Sequence, residues 1–73
     1  MRIKKDFHGY RVEQAIREVE DLVYRKITRD VQDIELVTGH GKIRDAIVDF
    51  LDAEGIEWIS LPNNWGMVRF RLY

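Results

Sequence analysis

Cysteine is absent from the 73-residue sequence. That excludes disulfides, thiolate metal sites and cysteine nucleophiles, and it fits a reducing compartment. The only serine is Ser60, so there is no candidate for a serine triad. No apolar run approaches the ~20 residues of a membrane span. The segment Met1–Lys5 is charged, and no apolar core follows it. A signal peptide and a membrane partner are therefore not expected, and the expected location is cytoplasmic. Neither sign of charge dominates: the formal net charge is −1. This argues against coating nucleic acid by bulk electrostatics and leaves room for a local basic cluster. Internal repeats, linkers and low-complexity stretches are also missing.

What is present is globular in character. Apolar residues make up 45% and charged residues 34%, enough of the first for a core and too few of the second for disorder. The length predicts a single domain over residues 1–73, with a smaller buried share than a large domain has.

Apolar spacing predicts six elements. Ile3–Phe7 reads as a strand, with Ile3 and Phe7 on one face and Lys4, Asp6 and His8 on the other. A helix follows over about Arg11–Lys26. Its stripe is Val12, Ala15, Ile16, Val19, Leu22 and Val23, the spacing of one buried face. Glu13, Arg17, Glu20, Asp21 and Arg25 read as its solvated side, with helix-spaced pairs. Arg11 stands where a capping Ser, Thr, Asp or Asn is expected, a cation at the positive end of the helix dipole. A bound anion would offset it.

Thr28–Gln32 reads as a loop and Ile34–Val37 as the second strand. A strand–helix–strand connection makes these two strands parallel. The second helix spans about Lys42–Glu54 on the stripe Ile43, Ala46, Ile47, Phe50 and Leu51, with Gly55 as its stop. Ile56–Leu61 is the third strand, in which Trp58 and Ile59 have opposite parity and neither face is assigned. Pro62–Gly66 reads as a loop by composition. Met67–Tyr73 is the fourth strand, with Val68, Phe70 and Leu72 opposite Arg69 and Arg71. The order is βαβαββ. One apolar face per helix predicts an α/β fold in two layers, with both helices on one face of a four-stranded sheet.

Both histidines of the chain, His8 and His40, fall at strand-to-helix turns beside glycine. In open α/β sheets such turns gather at the carboxyl edge of parallel strands, where ligands bind. Asp6 and His8 face the same way, roughly 7 Å apart along the strand. The carboxylate can fix the tautomer of the imidazole and raise its basicity, for general-base work or metal binding. The alternative is a strand-end Asp and a surface His that cap the next turn.

Gly39 and Gly41 around His40 allow a sharp turn and close approach of N–H groups to an anion, at a helix N-terminus whose dipole adds to them. Thr38 precedes that turn. Lys42 and Arg44, just inside the helix, can close on the same phosphate. The alternative is a tight turn without a ligand. Gly9 and Arg11 complete the candidate phosphate-binding set at the first turn. Trp65, and Tyr10 beside Gly9, are candidate stacking surfaces for a nucleobase, against a plain core role for Trp65. Two histidines alone are too few for a tetrahedral zinc site, though Asp6 could help.

Asp6-Phe7-His8-Gly9 resembles the Leu-Asp-x-His-Gly motif of the Smr (small MutS-related) domain family. Thr38-Gly39-His40-Gly41 resembles its His/Thr-Gly-x-Gly motif, Ile43-Arg44 its Leu-Arg pair, and Gly66–Leu72 its closing glycine and strand. The resemblance runs over about Ile3–Leu72. It implies a mixed sheet in the order 1-2-4-3, similar to the C-terminal domain of bacterial translation initiation factor three. It also implies nucleic-acid binding and, in many members, endonuclease activity on DNA or RNA, some of it on ribosomes. The family ties the acid and histidine of the first motif, here Asp6 and His8, to cleavage. It ties the second motif, here Thr38, Gly39 and Gly41, to the substrate phosphate. This chain departs in a shorter glycine run and in Arg11, where many members have Thr or Ser. His40 fills a variable position.

The expected function is therefore an endonuclease domain that cleaves or nicks RNA or DNA. If water attacks, a divalent ion such as Mg²⁺ or Mn²⁺ near Asp6 is expected; if a ribose hydroxyl attacks, none is needed. The alternative is a non-catalytic module that recognises nucleic acid or the ribosome. Neither the substrate nor the oligomeric state is legible in the sequence.

Overall fold

The computed structural model describes residues 2–24, 32–39, 41–61 and 64–72, with the side chains of residues 32, 61, 64 and 65 outside the description. The elements are β1 (Arg2–Asp6), α1 (Val12–Tyr24), β2 (Gln32–Val37), α2 (Lys42–Ala53), β3 (Trp58–Leu61) and β4 (Asn64–Leu72). The sheet order is β1-β2-β4-β3. β1 pairs parallel with β2, and β4 pairs antiparallel with both β2 and β3. This is the α/β fold and the mixed 1-2-4-3 sheet expected from the sequence. Expected ends at Arg25 and Lys26 of the first helix, at Tyr73, and in the stretch 28–31 lie outside the described residues.

The period-2 pattern sorts the sheet into two faces. Ile34 and Leu36 of β2 and Val68, Phe70 and Leu72 of β4 are buried, and Phe7 just past β1 joins them. Ala15, Val19 and Val23 of α1 and Ile47 and Leu51 of α2 complete the same cluster, so both helices cover one face. The other face is open. On it Arg71 pairs with Asp33 at 2.8 Å and Arg69 reaches Glu35 at 3.9 Å, each across the β2–β4 ladder. Among the described residues no helix is long and apolar enough to cross a membrane.

Several element boundaries differ from the sequence expectation: β1 spans Arg2–Asp6 and not Ile3–Phe7, β2 begins at Gln32 and not Ile34, and α2 ends at Ala53 and not Glu54. Two further shifts have a local reason. β3 begins at Trp58, not Ile56, because the end of α2 draws Ile56 into its cap. The Ile56 N–H donates to the Leu51 carbonyl at 2.9 Å and the Gly55 N–H to that of Asp52 at 3.1 Å, with Gly55 at φ +72°. That pair of bonds is a Schellman motif, which satisfies the last carbonyls of the helix. β4 begins at Asn64, inside the stretch that composition marks as a loop. The register between β3 and β4 shifts at Ser60/Leu61, and Gly66 lies beside that irregularity. A glycine inside a strand is the usual mark of such a bulge.

The pairing also settles the parity of β3. Trp58 lies opposite Phe70 on the helix side, where its indole Nε1 donates to Asp52 Oδ1 at 2.8 Å. Ile59 lies opposite Arg69 on the open face and is 58% exposed.

Candidate functional site

The two turns singled out in the sequence stand side by side. Asp6, the last residue of β1, is in register with Val37, the last of β2. The Phe7 N–H donates to the Val37 carbonyl at 3.0 Å, so the parallel ladder continues into the first turn. β3 runs in the same sense as β1 and β2, because each is antiparallel to or in step with a shared neighbour. The start of β4 therefore lies at the same carboxyl edge.

The first turn is built by its own chemistry. The Tyr10 N–H donates to the Phe7 carbonyl at 3.0 Å, closing a four-residue turn with Gly9 at φ +81° in its third position. That dihedral fits a type II turn, which favours glycine there. Asp6 Oδ1 accepts from the His8 backbone N–H at 2.9 Å. Asp6 thus holds the turn that presents His8; among the described residues its carboxylate makes no hydrogen bond to the imidazole. His8 is exposed and lines an open cleft of about 480 Å³.

The second turn is held from β4. The Gly66 carbonyl accepts from the N–H groups of Thr38 at 2.7 Å and Gly39 at 3.1 Å. The Thr38 hydroxyl, in a residue only 8% exposed, lies 2.9 Å from the Gly39 carbonyl oxygen and 3.2 Å from that of Gly66. Thr38 and the Gly39 N–H are therefore committed to the turn itself. Gly39, at φ +72°, then turns the chain toward α2.

What this edge offers an anion is the start of the helices. α2 begins after Gly41 with no side-chain cap. Its first N–H groups, from Lys42 onward, have no partner within the helix. α1 begins after Arg11, whose side chain meets no acceptor among the described residues. The Arg11 N–H is instead satisfied by Gln14 Oε1 at 3.0 Å, one half of a capping box. Two helix starts, that of α2 without a side-chain cap, with Arg11 and Lys42 beside them, thus share one edge of a chain whose net charge is −1.

One sequence candidate, Arg44, is placed elsewhere. Arg44 donates from Nη2 to Ser60 Oγ at 2.8 Å and lies over the Trp58 ring, 5.5 Å from its centroid, so it bridges α2 to β3. His40 lies outside the described residues, as does the side chain of Trp65. Tyr10 packs edge-on against Phe7, with ring centroids 5.3 Å apart, and so serves the turn as well as the surface. Gly66, read in the sequence as the end of a loop and as part of the resemblance, emerges as the anchor of the second turn; its place just before the half-buried strand was the available signal.

Among the described residues no three His, Asp or Glu side chains converge on a common point. A Mg²⁺ or Mn²⁺ ion at this edge would rest on Asp6 and on the phosphate oxygens of the substrate. A larger depression of about 1150 Å³ lies at the opposite end of the sheet, against Asp33, Trp58 and Arg71. Size does not make it the better candidate, since neither motif reaches it.

Comparison with protein families gives one match: the model described as the Smr domain covers residues 5–62. It takes in both turns and both helices and stops before β4. No curated protein and no solved structure matches the chain.

Proposed function

The chain belongs to the Smr domain family, which is associated with nucleic-acid binding and nuclease activity, and from that premise we propose that it cleaves a nucleic-acid strand held at the carboxyl edge of β1 and β2. The observation that carries the reading is the juxtaposition of the Asp6–His8 turn with the Thr38–Gly41 turn, fixed by the Asp6–Val37 register and the Phe7–Val37 hydrogen bond. The scissile phosphate sits at the N-terminus of α2. The free N–H groups of its first turn, the dipole and Lys42 stabilise the charge that builds on the phosphoryl oxygens. The Thr38–Gly39 turn positions that helix start.

His8 takes the proton of the attacking hydroxyl, from water or from the adjacent ribose, on an imidazole nitrogen. A new phosphorus–oxygen bond forms, the bond to the leaving oxygen breaks, and that oxygen takes a proton from solvent while His8 returns its own to solvent. Asp6 acts through the backbone as a positioning residue, since its carboxylate fixes the His8 N–H.

The test is cleavage of labelled single-stranded RNA and of supercoiled plasmid by wild type and His8→Ala, with chelator and with added Mg²⁺. General acid–base catalysis contributes about 10²–10⁴-fold, so His8→Ala should lower turnover by that factor and leave affinity near wild type. RNA cleavage that persists in chelator identifies the ribose hydroxyl as nucleophile. Equal cleavage by both proteins overturns the assignment of His8. Binding without cleavage under every condition supports a recognition module for nucleic acid or a ribosomal surface. The commitment of the Asp6 carboxylate to a backbone N–H is the observation that favours this second reading.

A further inference from the structure

The cleft beside His8 has a chemistry of its own. It is lined by His8, Gly9, Tyr10, Gln14, Arg17 and Glu18. Its single acid is already paired. Glu18 Oε2 lies 2.8 Å from Lys5 Nζ, and Glu18 Oε1 accepts from the Tyr10 hydroxyl at 3.4 Å. The hydrogen bond to Glu18, and then the one to Tyr10, hold the pKa of Lys5 above its ordinary value.

Gln14 has one half in use. Its Oε1 accepts the Arg11 N–H, which leaves the amide N–H₂ for a ligand. Arg17 is exposed and, among the described residues, enters no ion pair or hydrogen bond. Along α1 the cleft therefore offers donors and one uncompensated positive charge. That set selects an acceptor-rich anion.

We propose that this cleft is a second phosphate subsite: Arg17, with Gln14 as a further donor, holds another backbone phosphate of the strand whose scissile phosphate lies at the start of α2. The proposal rests on the reading of that edge as a phosphate site. It makes the ligand a continuous strand, because a mononucleotide has no second phosphodiester to place here. Arg17 thus has a use beyond the solvated helix face to which its spacing assigns it.

The experiment is a salt titration of binding. The probe is a fluorescein-labelled, single-stranded 2′-O-methyl oligonucleotide, which cannot attack itself through a 2′-hydroxyl. The proteins are wild type, Arg17→Gln, Arg17→Lys, Lys42→Gln and Arg71→Gln, with folding checked by circular dichroism. Arg17→Gln should weaken binding roughly tenfold at low salt, the loss of one charge-assisted contact. It should also lower the slope of log Kd against log salt by about 0.7, one phosphate of a single strand. Arg17→Lys should keep most of both. Arg71→Gln, on the open sheet face, should leave the slope unchanged.

A wild-type slope in Arg17→Gln, with binding lost in Lys42→Gln, overturns the second subsite and leaves the edge standing. Equal losses in Arg17→Gln and Arg71→Gln assign the effect to bulk charge and also overturn it. No binding by wild type at low salt removes the phosphate edge, and the subsite with it.

Discussion

At the scale of single residues, the first turn separates two roles that a carboxylate beside a histidine can play. The hydrogen bond from the His8 N–H to Asp6 Oδ1 needs an acceptor, not a charge. Asp6→Asn keeps the acceptor, whereas Asp6→Ala removes it. Asp6→Asn should therefore retain most of the binding and turnover, while Asp6→Ala loses turnover and about 1 kcal/mol of stability. Parallel cleavage assays and denaturant titrations of the two variants check this. A collapse of turnover in Asp6→Asn, with its stability intact, would return the carboxylate charge to the chemistry. The candidate residues themselves were legible from sequence because glycine and histidine at strand ends are uncommon enough to notice. What each one touches was not. Whether Asp6 reaches a ring nitrogen or a backbone N–H depends on the turn that Gly9 permits. Whether the Gly39 N–H is free depends on a carbonyl that Gly66 brings from the far end of the chain.

At the scale of elements, α2 links the site to the core. Its start lies at the anion edge, and its end is closed by the Schellman bonds of Gly55 and Ile56. Gly55 sits at φ +72° with open space where a Cβ would stand, so an alanine there meets no clash and only the cost of a left-handed backbone. Gly55→Ala should lower stability by about 1–2 kcal/mol without altering binding at the other end of the helix. Leu51 is fully buried, and Leu51→Ala should cost about 2–5 kcal/mol. Thermal and urea unfolding of both variants, beside oligonucleotide affinity at a temperature where each is folded, measures the separation. The elements were readable because one-sided stripes determine helices whatever their neighbours do. Their boundaries moved where backbone hydrogen bonds were contested. Ile56 has the side chain of a strand residue, but its N–H belongs to the helix before it. Asn64 and Gly66 have loop composition, yet the ladder with β2 and β3 holds them extended. The parity of β3 could not be read from Trp58 and Ile59, because both are apolar, and it took the pairing with Phe70 and Arg69 to place one inside and one out.

At the scale of the whole molecule, two of the three pairs that set its pH response stand apart from the anion edge, and the third, Lys5–Glu18, flanks the cleft beside His8. Asp33 and Arg71 meet on the open face, at the end of the sheet away from the motifs. Tyr24 donates to Glu54, joining the ends of α1 and α2, and Lys5 joins β1 to α1 through Glu18. The hydrogen bond from Arg71, and then its charge, hold the Asp33 carboxyl below its ordinary 3.8. That stabilisation is present above 3.8 and is lost as pH falls through the depressed value. Lys5 is raised above 10.5 by Glu18, and Tyr24 above 10.0 by its hydrogen bond to Glu54. Their contributions are full below those values and are lost as pH rises through the higher folded ones. The three groups together should leave the unfolding temperature level between pH 3.8 and 10.0 and lower it on either side. All three are open to solvent, Tyr24 largely and Lys5 and Asp33 in part, so both falls should be shallow and should flatten further in salt. Unfolding scans across pH at low and high salt measure this, with Asp33→Asn as the informative variant. It should flatten the acid limb, leave the alkaline limb in place, and leave oligonucleotide binding at neutral pH unchanged. An unchanged acid limb would mean that the Asp33–Arg71 pair adds nothing to the stability of the fold.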